Sequence, residues 1–172
     1  MLIDELHAHL TVAKTEGSKA SIDRARKRKK FLARERIQLL LDKDSPFIEL
    51  MPLAGLLHEG GFGPGGTTVA GIGYINKRLC IVNANLSTRK AGTVDYATSL
   101  KIRRLGEIAL ENKTPTINLV ESGGANLPDQ DRVFNNYGAT FREMSLRSKQ
   151  GIPTISVVFG NATAGGAYVP GM

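Results

Sequence analysis

The residues with the clearest chemical potential are two short runs of small amino acids, Glu121-Ser122-Gly123-Gly124-Ala125 and Ala164-Gly165-Gly166-Ala167. A glycine pair lets the backbone approach a ligand closely and leaves its peptide N–H groups free to point outward. Two such donors, aligned in advance, could stabilise negative charge as it develops on a bound carbonyl oxygen. Each run alone reads more simply as a tight strand-to-helix turn. Together, donor loops on neighbouring strand ends could hold one carbonyl oxygen between them, which is how a thioester enolate would be stabilised.

Side-chain chemistry is thinner. His7, His9 and His58 all fall in the first third of the chain, so Ser122 has no histidine near it in sequence, and nothing suggests a triad or a metal cluster. Glu121 and Asp129 are candidates for general acid or base, with solvated or capping carboxylates as the plainer reading. Lys90 could meet an anionic ligand or simply be a solvated loop lysine. Cys80, the only cysteine, lies in the strand-like run Arg78 to Val82 and reads as a packed thiol. A literal G-x-G-x-x-G occurs at Gly61, Gly63 and Gly66, but a strand pattern follows it where a dinucleotide site needs a helix, so that site is rejected.

The elements that must position the two loops repeat. Pro115-Thr-Ile-Asn-Leu-Val120 recurs 38 residues later as Pro153-Thr-Ile-Ser-Val-Val158, and each copy follows a helical pattern and opens into glycines. One helix spans about Thr98 to Ala109, with Leu100, Leu105, Ile108 and Ala109 on its apolar stripe and Lys101, Arg103 and Arg104 mostly on the other face. The second spans about Phe134 to Lys149, with Gly151 near its C-cap. Helix-strand-loop units in succession favour a parallel sheet whose ligands bind outside the carboxyl ends of the strands. Upstream, Thr67 to Tyr74 and the run through Val82 form a hairpin turning near Asn76-Lys77, and Phe47 to Leu50 is a short extended segment. An N-terminal helical arm, capped by Ser21 with Asp23 in its first turn, runs to Leu41.

The hydrophobic fraction of 41% and charged fraction of 23% are those of a soluble globular protein, with no apolar run long enough to span a bilayer. The N-terminus lacks a signal-peptide pattern, so the expected location is cytoplasmic. Residues 1–36 hold ten Lys/Arg against five Asp/Glu, so much of the net charge of +7 sits in the arm. Its run Arg24-Ala-Arg26-Lys27-Arg28-Lys29-Lys30 is a solvated helix face, a nucleic-acid surface or a seat for the phosphates of an anionic ligand; no aromatic platform is interleaved to favour nucleic acid.

The stretches LARERIQLLLD, NLSTRKAGT, ESGGANLPDQ and GIPTISVVFGNATAGGAYVPGM resemble the carboxyltransferase (β) subunit of biotin-dependent acyl-CoA carboxylases, in consistent order from about Arg34 to Met172. The resemblance implies a crotonase-like α/β fold of ββα units, divided into a basic arm at 1–42 and an N-terminal carboxyltransferase domain at 43–172 that is incomplete at its C-terminus. It implies transfer of a carboxyl group from carboxybiotin, carried on a biotin carboxylase or biotin carrier partner, to the α-carbon of an acyl-CoA, in a homo-oligomer without membrane or nucleic acid. The thioester oxygen would meet backbone N–H groups of Gly165, Gly166 and Ala167, with Ala164, Ser122, Gly123, Gly124, Ala125, Lys90 and Gly92 lining the same substrate pocket. No side chain need be the base, because the biotin ureido nitrogen takes the α-proton. LPDQ after SGGAN resembles methylcrotonoyl-type members more than propionyl-type ones. Family members commonly carry Asn-Asp and Lys-Gly-Gly where this chain has Asn85-Leu86 and Lys90-Ala91-Gly92. The alternatives are another crotonase-like acyl-CoA reaction, which would need a carboxylate such as Glu121 in the pocket, and a non-catalytic basic assembly module.

Overall fold

A computed structural model describes residues 2–172. Three helices come first, α1 (Leu2–Lys14), α2 (Lys19–Lys27) and α3 (Ala33–Leu40), followed by the short strand β1 (Ile48–Glu49). The hairpin β2 (Thr68–Ile75) and β3 (Arg78–Asn85) turns at Asn76 and Lys77, both in left-handed backbone that suits a tight hairpin. Two crossover units complete the chain: α4 (Tyr96–Glu111) into β4 (Thr116–Ser122), and α5 (Gln130–Lys149) into β5 (Thr154–Ala162), which ends in the short helix α6 (Gly165–Gly171).

The five strands lie in sequence order in one sheet, antiparallel from β1 to β3 and parallel from β3 to β5. The 38-residue repeat becomes geometry here. Thr116 pairs with Thr154, Ile117 with Ile155, and so on to Val120 with Val158, so each residue lies opposite its own counterpart. Side-chain alternation then sorts the faces. On one face Val69, Cys80, Val82, Ala84, Ile117 and Leu119 pack with Ala33, Ile37 and Leu41 from α3 and its end. On the other, Ala70 and Ile81 pack with Leu105 and Ala109 of α4. Cys80 is a buried thiol, as its strand context implies. No helix among the described residues is long and apolar enough to cross a membrane.

Two local expectations need correcting. The arm is not one helix. Ser18 rather than Ser21 caps α2, its Oγ accepting the Ser21 N–H at 3.2 Å, and the chain turns at Lys29, whose φ is 54°. The helix α3 then restarts because Glu16, distant in sequence, accepts the N–H groups of Ala33 and Arg34 at 2.8 and 2.9 Å. The apolar stripe of α4 is also rotated. It buries Ala97, Lys101, Leu105 and Ala109 at four-residue spacing, while Leu100 stays 41% exposed. Lys101 faces inward because its ammonium donates to Thr68 O at 2.8 Å and Gly65 O at 3.3 Å, satisfying the carbonyls where the glycine loop enters β2. The loop Gly60 to Gly66 wraps the N-terminus of α4. Fully buried Asp95 accepts the Phe62 and Thr98 N–H groups, each at 2.9 Å, and Thr98 Oγ1 accepts that of Thr67 at 3.1 Å.

Burial lowers the Lys101 pKa to about 8. The sign follows from linkage: between about 8 and the unfolded value of 10.5 the unfolded chain holds a proton the folded chain has lost, so stability rises with pH across that window. The rise is on the order of 3 kcal/mol from the size of the shift. Urea denaturation from pH 8 to 10 should show this slope in the wild type and its loss in Lys101→Met.

Candidate functional site

The site is assembled where β4 and β5 end. The register shifts between Val120 and Ser122, so Ser122 pairs with Ala162 and the two exits are offset rather than level. Alternation sends Ser122 to the α4/α5 face and Glu121 to the face covered by α3. Ser122 Oγ donates to Gly92 O at 3.1 Å and accepts the Gly124 N–H at 3.2 Å. A Cβ on Gly166 would lie 2.8 Å from Ser122 Oγ and 2.9 Å from its Cβ. The two glycine loops therefore touch, and only glycine fits at position 166.

A third loop is stitched to these two. Val94 N–H donates to Gly124 O, and Asn126 N–H to Val94 O, both at 2.8 Å, in a one-residue parallel bridge. Lys90, Ala91 and Gly92 are all left-handed, with φ of 48°, 54° and 69°. A side chain at Gly92 would strike the carbonyl of Glu121, so this residue can only be glycine. Ala91 tolerates the same backbone region at a cost of roughly 1 kcal/mol. Lys90 is exposed, with its ammonium 5.5 Å from the centroid of the Phe62 ring.

Of the proposed donors, Gly165 alone has its N–H unengaged among the described residues. Gly166 donates to Thr163 O and Ala167 to Ala164 O, both at 2.9 Å, closing the turn that starts α6; Ala164 adopts φ 47° and ψ −122° to enter it. The Gly123 and Gly165 N–H groups donate to nothing among the described residues. Tyr137 of α5 floors the loop: its ring lies 3.4 Å from where a Gly165 Cβ would be, and burial pushes its hydroxyl pKa up to about 12. It continues into a row of rings through Phe141 to Tyr168, with centroids 5.7 and 5.2 Å apart. Behind the loops a cavity of about 60 Å³ lies between the sheet and the helices, edged by Ser122, Gly166, Asn118 and Arg147.

Glu121 is neither solvated nor a cap. Its carboxylate is buried between Lys30 Nζ and Arg36 Nη2, the latter at 2.7 Å, and Arg36 in turn lies 4.4 Å from the Phe159 ring centroid. Burial pushes the carboxyl up, but the hydrogen bonds from Lys30 and Arg36 outweigh it and hold the pKa below its ordinary value. Asp129 accepts from Asn126 Nδ2 at 2.9 Å at the entry to α5.

On the arm side a cleft of about 270 Å³ opens beside Gly123 and Ala91, walled by Arg24, Arg28, Ser21 and Ser87. Arg24 and Arg28 have no carboxylate partner among the described residues, whereas Arg26 is paired with Glu35. Sequence reasoning missed Tyr137, Arg36 and the division of labour among the arm's cations. Only the four-residue spacing of Tyr137 and Phe141 signalled a shared face.

A family model described as the carboxyl transferase domain matches residues 24–172. A probable biotin-dependent acyl-coenzyme A carboxylase beta2 subunit of Mycobacterium tuberculosis is 48% identical over 99% of this chain and 32% of its own length. A probable mitochondrial methylcrotonoyl-CoA carboxylase beta chain of Drosophila melanogaster is 47% identical over 99% of this chain and 30% of its own. Among solved structures, the beta subunit of P. aeruginosa geranyl-CoA carboxylase superposes with a TM-score of 0.81 at 40% identity, covering 99% of this chain and 31% of that one. The chain thus spans about a third of the length of the relatives it matches.

Gly92→Ala combines a left-handed φ with a clash against the Glu121 carbonyl, and is expected to destabilise by about 2–4 kcal/mol. Ala91→Gly, one residue away, should change stability by less than about 1 kcal/mol. Paired denaturant titrations of the two variants test this contrast.

Proposed function

The chain belongs to the carboxyl transferase domain family and has its crotonase-like fold, and on that premise we propose that it forms the acyl-CoA side of a biotin-dependent carboxyltransferase. The observation that carries this reading is the contact of the two glycine loops at Ser122 and Gly166, with unengaged N–H groups on Gly123 and Gly165. In this reading the thioester oxygen is held by the loop Ala164 to Ala167, with Gly165 as the ready donor and Gly166 and Ala167 fixing the turn. Ser122, Gly123, Gly124 and Ala125 line the other side, and Gly92 permits the close packing of the third loop. Residues 43–172 carry the pocket and residues 1–42 the arm beside it. Arg24 and Arg28 seat the phosphates of the CoA moiety in their cleft. Lys29 and Lys30, which the charge pattern equally nominates, fit this role less well: Lys29 does not line the cleft and Lys30 is engaged by Glu121.

Carboxybiotin, carried on a partner subunit, supplies the carboxyl group when bound; no residue of this chain is assigned to it. The chain's own contribution is to hold the thioester and prealign donors where enolate charge develops; the α-proton would go to the biotin ureido nitrogen, so no side chain of this chain is assigned as base. A hydratase- or isomerase-type reaction would need a free carboxylate, and Glu121 is held ionised by two cations on the opposite face from Ser122. The acyl group suggested by LPDQ is branched, in keeping with the names of the methylcrotonoyl- and geranyl-CoA relatives.

Gly166→Ala, tested in the assembly with its biotin-bearing subunit, is expected to lower acyl-CoA carboxylation about a hundredfold or more; undiminished activity overturns the oxyanion assignment. Acetyl-CoA should bind the chain with modest salt dependence. Duplex DNA, if bound at all, should weaken steeply between about 50 and 200 mM salt. Tight DNA binding without CoA binding, measured by calorimetry across that range, would favour the basic assembly module instead.

A further inference from the structure

Glu121 is the meeting point of five segments. Its own N–H donates to Asn85 Oδ1 of β3 at 3.2 Å, and its carbonyl sets the glycine requirement at Gly92. One carboxylate oxygen meets Lys30, in the link between α2 and α3, and the other meets Arg36 of α3. Oε1 also fills the space beside β5 where a side chain at Gly160 would stand, 2.6 Å from that Cβ position. The next two residues, Ser122 and Gly123, begin the first glycine loop. Lys30 is the cation through which the basic cleft of Arg24 and Arg28 is tied to that loop.

We propose that Glu121 is a positioning residue that sets the distance between the basic cleft on the arm and the glycine loops, so that one CoA ester can span both. This rests on the acyl-CoA reading above. The physical content is a chelate effect. A ligand with an anionic end and a thioester end gains affinity over its fragments only if both subsites are held at the right separation. Lys30 and Arg36 tether α2 and α3 to the end of β4 through one buried carboxylate, beside the α3 packing on that face, the Arg34–Glu49 ion pair at 2.8 Å and the hydrogen bonds of Thr88 and Arg89 to carbonyls at the end of α1; of these anchors, the carboxylate alone joins the cleft to the strand end that opens into the first glycine loop. With the carboxylate neutralised, Lys30 is released and the separation between the cleft and the first glycine loop is no longer fixed at that strand end. Each subsite stays intact.

The test uses the 172-residue chain with three probes: acetyl-CoA, adenosine 3′,5′-bisphosphate for the anionic end, and S-acetylpantetheine for the thioester end. In the wild type, acetyl-CoA should bind more tightly than either fragment. Glu121→Gln should weaken acetyl-CoA about tenfold while leaving both fragments within about twofold. The double variant Glu121→Gln/Arg36→Met, which leaves no buried charge unpaired, should behave the same way and covers the case in which the single variant fails to fold. Unchanged acetyl-CoA affinity in the folded variants, or parallel weakening of all three probes, overturns the positioning role. A wild-type chain that binds no acetyl-CoA overturns the acyl-CoA reading itself, and this inference with it.

Discussion

The parallel pairing of β4 with β5, residue against repeated counterpart, is the constraint on which the other features depend. Parallel neighbours need a crossover, and α5 provides it, bringing Tyr137 under the second loop. Parallel direction also places both strand exits at the same end of the sheet, which an antiparallel pair of the same sequences would not do. The two-residue register shift near Ser122 then slides one exit past the other. Without it Ser122 and Gly166 would not be brought into contact. The hairpin and the α4 unit support this pair, since β3 continues the parallel ladder and Val94 extends it into the loops.

Period-two alternation at the end of β4 separates two kinds of interaction that would interfere if they shared a face. Ser122 and its hydrogen bonds to Gly92 and Gly124 lie toward the helices, where loop geometry is set by neutral donors and acceptors. Glu121, one residue earlier, points toward the arm and collects charge. A buried carboxylate with two cationic partners is not a strong source of net stability, because desolvation offsets much of the attraction. Its effect is specificity of arrangement. Removing one partner strands a charge, so α3, the α2–α3 link and the strand end persist together. Charged Lys101 and Arg89 act similarly upstream: Arg89 donates to Pro64 O and Gly66 O at 2.9 and 2.8 Å, fastening the glycine loop from one side as Lys101 does from the other.

Most of the fold was legible because it rests on local pattern. The hairpin, both crossover helices and the 38-residue repeat all follow from periodicity and from Gly and Pro punctuation, and each stands where the pattern puts it. Two of the errors share one cause: α3 took its cap from Glu16, and Lys101 turned inward toward backbone carbonyls of another segment, so in each a partner distant in sequence outweighed local propensity. The third is local, a choice between two serines three residues apart, with Ser18 rather than Ser21 in the cap position. The same holds at the site. The glycine loops could be nominated from composition, but nothing local reveals that Glu121 meets Lys30 and Arg36 or that Tyr137 lies beneath Gly165.

Glycine in these loops is explained more by crowding than by freedom. Gly92 faces the Glu121 carbonyl, Gly123 the Thr93 hydroxyl and Ala91 carbonyl, Gly160 the Glu121 carboxylate, and Gly166 the Ser122 side chain. Each lacks room for a Cβ. The purpose of such packing can be read from the donors. If every N–H in the second loop were exposed, the loop would be an unsatisfied run with no fixed direction, and buried unpaired donors are costly. Instead Gly166 and Ala167 close turn bonds, and those bonds aim the remaining Gly165 N–H. Prealignment of a small number of donors requires that their neighbours be occupied. If the loops act as proposed, most of their glycines serve to bring the loops close together, and only a few present N–H groups to a ligand.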